Sequence, residues 1–585
     1  MTRFLTLLCC LLLTTCAAQP QLPSGQSLLH PVPPARLNFA KEGFGGVKAY
    51  QNKEGQTVMR LTTTTRPDNI YNLSRSIPLK NGTLKAGRVL LLSFEAKTEQ
   101  ASLETGEGKL LCLLRQSESH KDNLSHTVSI GSDWRTYNFP YTLTENVASD
   151  KLILNLQFGY PTQEVLVRKA DLTLYPVGTR AEDLPRTKIT YAGRETDAPW
   201  RDEAARRIER HRKGSFSLQF VDAQGNPISD MPTQVNLKRH HFGWGAAVNA
   251  QAIVKDPKRM DRIAQMFNTI VFENDLKIKR WRNEEYRNNT LSIMDSLAAR
   301  NVAVKGHVLI WPGFQYLPPV IRENRGNPNQ VTKLMDRHVE DILRRTAGKV
   351  SRWDVVNEAY SNRDLQKITG SEEILYNGFR KLAGRDSTVG RFTNEFGIIS
   401  RGGHDLEKQQ WYYDYIKRVD EQTDGLVDGI GIQCHMGSDL TPPERVLELL
   451  NYYGELNKQI SISEFTIDLD DPELRFDYTR DFLTIAFSHP SVSEFLFWGY
   501  YGGTHPKASI FTPDWKLGDM GLAFQSLVHQ QWTTEVRGDT DTGGRIQGRG
   551  FYGDYEYQFT INGQKRVGHF SLESGAAAVL TLMVE

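Results

Sequence analysis

From residue 242 onward, short apolar runs alternate with amphipathic stretches. The runs fall at 242–248, 269–273, 302–310, 353–357, 390–396, 429–435, 460–464 and 495–500. Between them lie segments with apolar residues at helical spacing, such as 331–346 and 408–421. A short, nearly continuous apolar run suits a strand buried on both faces, and a helix between two such strands makes them parallel. Eight repeats of this unit predict an α/β fold, a closed (β/α)8 TIM barrel, over 241–531. The rival is a doubly wound sheet. No glycine-rich phosphate turn follows the first run, so the barrel leads.

The flanking segments have a different rhythm. Residues 37–178 show period-two alternation broken by turn residues, as at 55–62, 89–96 and 152–158. That pattern predicts a β-sandwich of the jelly-roll kind. Residues 19–36 are rich in Pro, Ser and Gln and read as a linker. A connector and strand pair occupy 179–240. Within them, 200–213 has the charges of an amphipathic helix (Arg206, Arg207, Arg210, Arg212), which read as a solvated face. Residues 532–585 return to β character and predict a small appended β domain.

Composition narrows the function classes. The chain has 585 residues, of which 39% are hydrophobic and 24% charged, with a net charge of +2. That balance argues for a globular protein and against nucleic acid or an anionic membrane as partner. Cys9, Cys10 and Cys16 lie near the start, leaving Cys112 and Cys434. Their spacing makes neither a disulfide framework nor a zinc site, and no metal or cofactor is expected. Cys112, in an apolar run, reads as a small core residue. Arg3, the apolar run from Phe4 to Leu13 and the small residues after it predict a signal peptide at 1–18. Cys16 can also be read as a lipidated cysteine. The protein is therefore expected outside the cytoplasm, secreted or at the cell surface, as a monomer, touching a membrane only through Cys16.

In a barrel, reactive side chains gather where the strands end. The second strand is expected to end in Glu273 and Asn274, with Lys277 close behind. The third carries His307 and Trp311, which share a face while the chain stays extended. The fourth ends in Asn357 and Glu358, and the fifth carries Asn394 and Glu395. The sixth carries Gln433 and His435. The seventh ends in Glu464, on the face of Ile460 and Ile462, and the eighth carries Trp498. Burying so many carboxylates, amides, imidazoles and indoles costs free energy unless they pair, so packing alone does not explain them. No serine sits in a G-x-S-x-G turn. Two carboxyl groups facing each other across a barrel mouth suit glycoside hydrolysis, where a retaining pair stands roughly 5–5.5 Å apart.

At these positions the chain resembles glycoside hydrolase family 10, the β-1,4-xylanases. The resemblance covers about 200–531. It rests on Glu273-Asn-Asp-Leu-Lys277, Gly306-His-Val-Leu-Ile-Trp311, Trp353-Asp-Val-Val-Asn-Glu358, Asp428-Gly-Ile-Gly-Ile-Gln-Cys-His435 and Ile462-Ser-Glu464. Residues 549–555 resemble the plant-type and related bacterial branch. Residues 37–178 resemble the jelly-roll carbohydrate-binding modules that often precede xylanases, with 164–174 as their closing strand. The resemblance implies a (β/α)8 barrel that cleaves internal bonds of xylan with retention. Glu358 would be the general acid/base and Glu464 the nucleophile. Asn357 would bond the sugar 2-hydroxyl, with Asn394 beside it among the substrate-binding residues. Gln433 and His435 would position nucleophile and sugar. Glu273, Asn274, Lys277, His307 and Trp311 would hold the glycone sugars over an apolar floor at Trp498.

Three positions depart from the family pattern. Trp-His after the third-strand histidine is here Trp311-Pro312. Glu-Leu-Asp after the seventh strand is Glu464-Phe465-Thr466. The Trp after the loop histidine is missing from His505-Pro506. These touch the substrate walls and leave both glutamates in place. Two alternatives stay open: the same barrel acting on another β-linked plant or algal glycan, and a non-catalytic glycan-binding protein.

Overall fold

The structure, a computed structural model, describes residues 24–29, 38–40, 42–102, 108–119, 121–131, 133–437, 439–467, 469, 471–502, 506–575 and 578–584. The expected signal peptide with Cys16, most of the 19–36 linker and His505 lie outside the described residues. The chain divides into two compact units, Met1–Ile189 and Thr190–Glu585.

The first unit meets the all-β expectation. It holds a six-stranded and a five-stranded antiparallel sheet, with a two-stranded ribbon beside them. Alternate residues of both larger sheets point into one core. Leu61, Leu92 and Phe94 come from one sheet and Leu110, Leu114 and Leu154 from the other. Cys112 is fully buried in this core, and burial pushes its thiol well above its usual value.

The second unit contains a closed barrel of eight strands. They are β1 (Gly243–Val248), β2 (Thr269–Phe272), β3 (Ala303–Ile310), β4 (Arg352–Asn357), β5 (Gly390–Glu395), β6 (Gly429–Met436), β7 (Gln459–Ile467) and β8 (Val492–Phe497). Neighbours pair in parallel around the ring, and β1 closes it against β8. The helices start where the sequence supplies caps. Asn327 accepts from the Gln330 N–H at the head of Pro328–Arg345, Asp405 caps Leu406–Gln422, and Asp471 caps Pro472–Ser488. In Pro328–Arg345 the stripe Val331, Met335, Val339 and Ile342 is buried, which turns that face to the barrel.

The barrel interior carries charge. Lys305 on β3 is fully buried, 3.0 Å from Glu494 of β8 and 3.1 Å from Asp354 of β4. Its ammonium also donates to Ser461 Oγ at 2.9 Å. Arg352 reaches the other Glu494 oxygen at 3.0 Å, and the second Asp354 oxygen faces His307 Nδ1 at 2.9 Å. A buried charge is tolerable only when paired in this way. Burial pushes the Glu494 carboxyl up, but Arg352 and Lys305 overcome it and hold the group at about 2.

Two expectations need correction. The predicted strand pair before the barrel does form strands, Lys213–Val221 and Pro232–His240. The first pairs with Arg545–Phe551 and Ala578–Met583, the second with Glu535–Asp539 and Gly553–Ile561. Their apolar faces share one core that includes Phe216, Phe220, Val235, Tyr555 and Leu572. The segment 532–585 is therefore not a separate domain. Neither flank alone has enough apolar surface to close a core, and together they do. The helix Trp200–His211 forms as expected, but the arginines of the 200–213 run are not all solvated. Arg212 donates to the carbonyls of Phe487, His489 and Val492.

Candidate active site

The strand ends differ from the sequence reading by a residue or two, and the differences place the site. β2 stops at Phe272, so Glu273 and Asn274 lie just beyond it. The Glu273 N–H is held by the Val248 carbonyl at 3.0 Å. β8 stops at Phe497, and the Trp498 N–H is held by the Phe465 carbonyl at 2.9 Å. β7 runs past Glu464 to Ile467.

Glu464 does not share a face with Ile460 and Ile462. Ser461 bonds Glu494 inside the barrel, and Ser463 bonds Asn394. Phe465 instead packs against Phe482 of the outer helix. The alternation slips between Ser463 and Glu464, beside register shifts in the β6–β7 and β7–β8 pairings. That irregularity turns Glu464 inward. β4 is also irregular between Asp354 and Val356, ahead of Asn357. Glu358 then adopts a left-handed φ of 54°, and its N–H is held by the Asn394 carbonyl at 2.8 Å. A left-handed backbone at a non-glycine residue costs roughly 1–2 kcal/mol, and here it aims the carboxyl.

The two glutamates are joined by amides. Gln433 Nε2 donates to Glu358 Oε1 and to Asn357 Oδ1, both at 3.2 Å. Asn394 Nδ2 donates to Asn357 Oδ1 and to Glu464 Oε1, both at 2.9 Å. Asn357 and Asn362 each donate to one Glu358 oxygen at 3.3 Å. On its far side, Glu464 Oε2 lies 3.2 Å from His435 Nε2.

These surroundings push the two carboxyls in opposite directions. Burial raises the Glu358 carboxyl above its usual value; the Gln433 hydrogen bond opposes this and the Glu464 charge adds to it. Burial would raise Glu464 as well. The His435 hydrogen bond, with the positive potential of His307, His435 and Lys277, outweighs burial and brings it below its usual value. Two titratable groups driven apart in this way are suited to acid and nucleophile roles.

The expected glycone residues lie on the neighbouring strand ends. Lys277 Nζ donates to Asn274 Oδ1 at 3.1 Å and stands 4.9 Å from the centre of the Trp311 ring. Burial lowers the Lys277 ammonium below its usual value. His307 meets Trp498 edge-on at 5.3 Å and Trp311 at 6.2 Å. Glu273, Asn274 and Trp498 line a cleft of 670 Å³ that continues to Tyr286 and Tyr501. The structure thus brings all twelve expected side chains to one end of the barrel.

Four further residues belong to the site and were given no role in the sequence reading. Asp354 holds His307, Asn362 holds Glu358, and Thr466 holds His435 Nδ1 at 3.0 Å. Tyr316 stacks on Trp311 with centroids 3.4 Å apart. Thr466 was within reach of sequence reasoning, being two residues beyond Glu464 on an extended strand. Asn362 and Tyr316 lie in loops, where no periodicity marks them.

Residues 234–512 match glycosyl hydrolase family 10. Among curated proteins, anti-sigma-I factor RsgI6 of Acetivibrio thermocellus is 28% identical over 408 residues, covering 68% of this chain and 51% of that protein. Endo-1,4-beta-xylanase 2 of Arabidopsis thaliana is 22% identical over 374 residues, covering 63% of this chain and 34% of that protein. The chain thus spans about half or less of the length of these two relatives. Among solved structures, xylanase 10B from Thermotoga petrophila RKU-1 in complex with xylobiose is 23% identical, covering 50% of this chain and 95% of that one, with a TM-score of 0.45. The chain carries a glycosyl hydrolase family 10 domain over residues 234–512.

Proposed function

We propose that the barrel is a retaining endo-1,4-β-xylanase. The observation that carries this reading is the opposed displacement of Glu358 and Glu464 across one amide bridge. Glu464, kept ionised, attacks the anomeric carbon as the glycosidic bond breaks, and Glu358 gives its proton to the leaving oxygen. A glycosyl ester on Glu464 results. Glu358, now a carboxylate, takes a proton from water, whose oxygen attacks the same carbon and frees Glu464. The net change is one glycosidic bond hydrolysed with its configuration kept. Asn357, held by Asn394 and Gln433, presents its remaining amide capacity to the sugar 2-hydroxyl. Lys277, His307 and the Trp311 and Trp498 rings hold the glycone sugars.

Family membership supports the substrate class, as does the printed activity of the Arabidopsis relative. A panel of xylans and glucans tests it. Wild-type protein should release β-configured xylo-oligosaccharides. Glu358→Ala should lose about 10²–10⁴-fold on unactivated substrate, and Glu464→Ala should lose at least as much. Wild-type rates in both variants would sink the proposal. A second reading, the same chemistry on another β-linked glycan, draws on the Trp311–Tyr316 stack after β3, where the family's Trp-His is absent; a preference for glucan in the panel would favour it. The start of the chain supports export, with lipidation at Cys16 as its anchored form. Sugar binding by the first unit is part of the same proposal, tested by retention of residues 1–189 on insoluble xylan.

A further inference from the structure

We propose that Asn362, seated against Gly313, is a positioning residue that sets the rotation of the Glu358 carboxyl for proton transfer. Its kinetic consequence rests on the xylanase reading. The terminal torsion of a glutamate is broad, so the carboxyl keeps one rotation only when both oxygens are held. Glu358 Oε1 has two donors, Asn357 at 3.3 Å and Gln433 at 3.2 Å. Oε2 has one among the described residues, Asn362 Nδ2 at 3.3 Å. The same nitrogen donates to the Glu358 carbonyl at 3.1 Å, and the Asn362 backbone N–H reaches that carbonyl at 3.2 Å. A carbonyl only accepts, so this contact fixes which end of the amide faces Glu358. One residue thus ties the carbonyl of the left-handed turn to the carboxyl that the turn aims.

Asn362 is itself held from another loop. Its side chain is buried, and its Oδ1 lies against Gly313 in the loop after β3. A Cβ at residue 313 would stand 2.3 Å from that oxygen, and the next nearest atoms are Asn362 Cγ at 3.1 Å and Cβ at 3.3 Å. Gly313 is not among the glycines with a left-handed backbone. The chain would therefore accept a side chain there, and what forbids one is the Asn362 amide. The two loops are pinned on either side of this contact. The Phe314 N–H donates to Asp364 Oδ2 at 2.7 Å, and the Leu365 N–H donates to the Pro312 carbonyl at 3.2 Å. With both backbones fixed, a methyl at residue 313 is relieved by the free end of Asn362. That movement takes Nδ2 away from Glu358 Oε2 and releases the carboxyl.

Phenyl and dinitrophenyl β-xylobiosides test this. The phenyl leaving group needs the Glu358 proton, and the dinitrophenyl group departs without it. The ratio of kcat/KM on the two substrates therefore reads proton transfer apart from binding and nucleophilic attack. Asn362→Leu and Gly313→Ala should each lower the phenyl-to-dinitrophenyl ratio about tenfold, a part of the 10²–10⁴ that general acid catalysis supplies. The double variant should lose no more than the worse single one, because both act through one amide. A wild-type ratio in both single variants overturns the proposal. Equal losses on the two substrates do so as well, since they mark a general disturbance of the cleft. Crystal structures of wild-type protein and Gly313→Ala decide the point without substrate. The expected variant has Asn362 displaced and the Glu358 carboxyl turned from its wild-type rotation. Displacement of Asn362 with the Glu358 carboxyl unmoved overturns the proposal. Wild-type protein inactive on both xylobiosides is failure of the xylanase reading, and the two crystal structures then judge Asn362 alone.

Discussion

Replacing Lys305 by methionine would remove one positive charge from a place that excludes water. The side chain is fully buried, and its ammonium lies 3.0 Å from Glu494 and 3.1 Å from Asp354. The aliphatic stem is kept, so packing changes little and the loss is electrostatic. Removing one partner from a buried ion pair costs about 3–5 kcal/mol, because the other charge stays behind. Arg352 still holds Glu494 and His307 still faces Asp354, which puts the expectation toward the lower end. With an unfolding entropy of about 2.1 cal/mol/K per residue over a unit of about 400 residues, that is a melting shift of roughly 4–6 °C. Glu494 sharpens the test. Its carboxyl is held at about 2 against an ordinary 4.5, so its contribution is full above about pH 4.5 and is lost as pH falls toward 2. Lys305→Met should therefore also begin to unfold at a higher pH on acidification. Thermal and acid unfolding of Lys305→Met, Glu494→Gln and the double variant make a complete cycle. The double variant should be less destabilised than the sum of the two single ones. A Lys305→Met protein as stable as wild type, or strictly additive costs, would refute the reasoning.

Four other outcomes are expected. The rate profile on xylan should be bell-shaped, with activity lost on the acid side as Glu464 takes a proton and on the basic side as Glu358 gives one up; Glu358→Gln should abolish the basic limb. Lys408→Met should leave Glu395, 1% exposed and 2.8 Å from the ammonium, without its partner, at a cost of about 3–5 kcal/mol in chemical denaturation. The same change should lower kcat, because Glu395 also accepts from the Tyr360 N–H just beyond Glu358. Gly431→Ala would set a methyl 2.4 Å from Asn394 Oδ1 and 2.7 Å from the Thr393 carbonyl, so kcat should fall about tenfold and stability by about 1–3 kcal/mol, read by kinetics and calorimetry.

The barrel was legible because its strands are buried on both faces and its helices on one, so the apolar rhythm changes at every boundary. All eight strands lie where that rhythm put them, within a few residues. What the rhythm cannot carry is a slip. Strict alternation sends Glu464 to the side of Ile460 and Ile462, yet the irregularity at Ser463–Glu464 turns it to the interior. No residue type announces such a slip, because its cause lies in the neighbouring strands. Pairing between distant segments was hidden for a similar reason. The strands at 213–221 and 232–240 alternate as any half-buried strand does, and nothing in them names a partner beyond residue 534. Asp354 and Lys305 sat in apolar runs as evident exceptions. Their mutual pairing depended on barrel closure, which only coordinates supply.

The pairing of those flanking strands also sets a timetable. Gln219 donates to the Gly543 carbonyl, 324 residues later in the chain. Closing a loop of that length costs about 5 kcal/mol in chain entropy by the logarithmic rule. At roughly 5–20 residues per second, the ribosome makes the partners about 15 to 65 s after the lead-in strands. Through that interval the lead-in strands present open edges, the kind of surface on which nascent chains associate. A chain cut before residue 535 would leave them open for good. The two small sheets that flank the barrel are thus the last part to be completed, and their absence should show first as aggregation during synthesis.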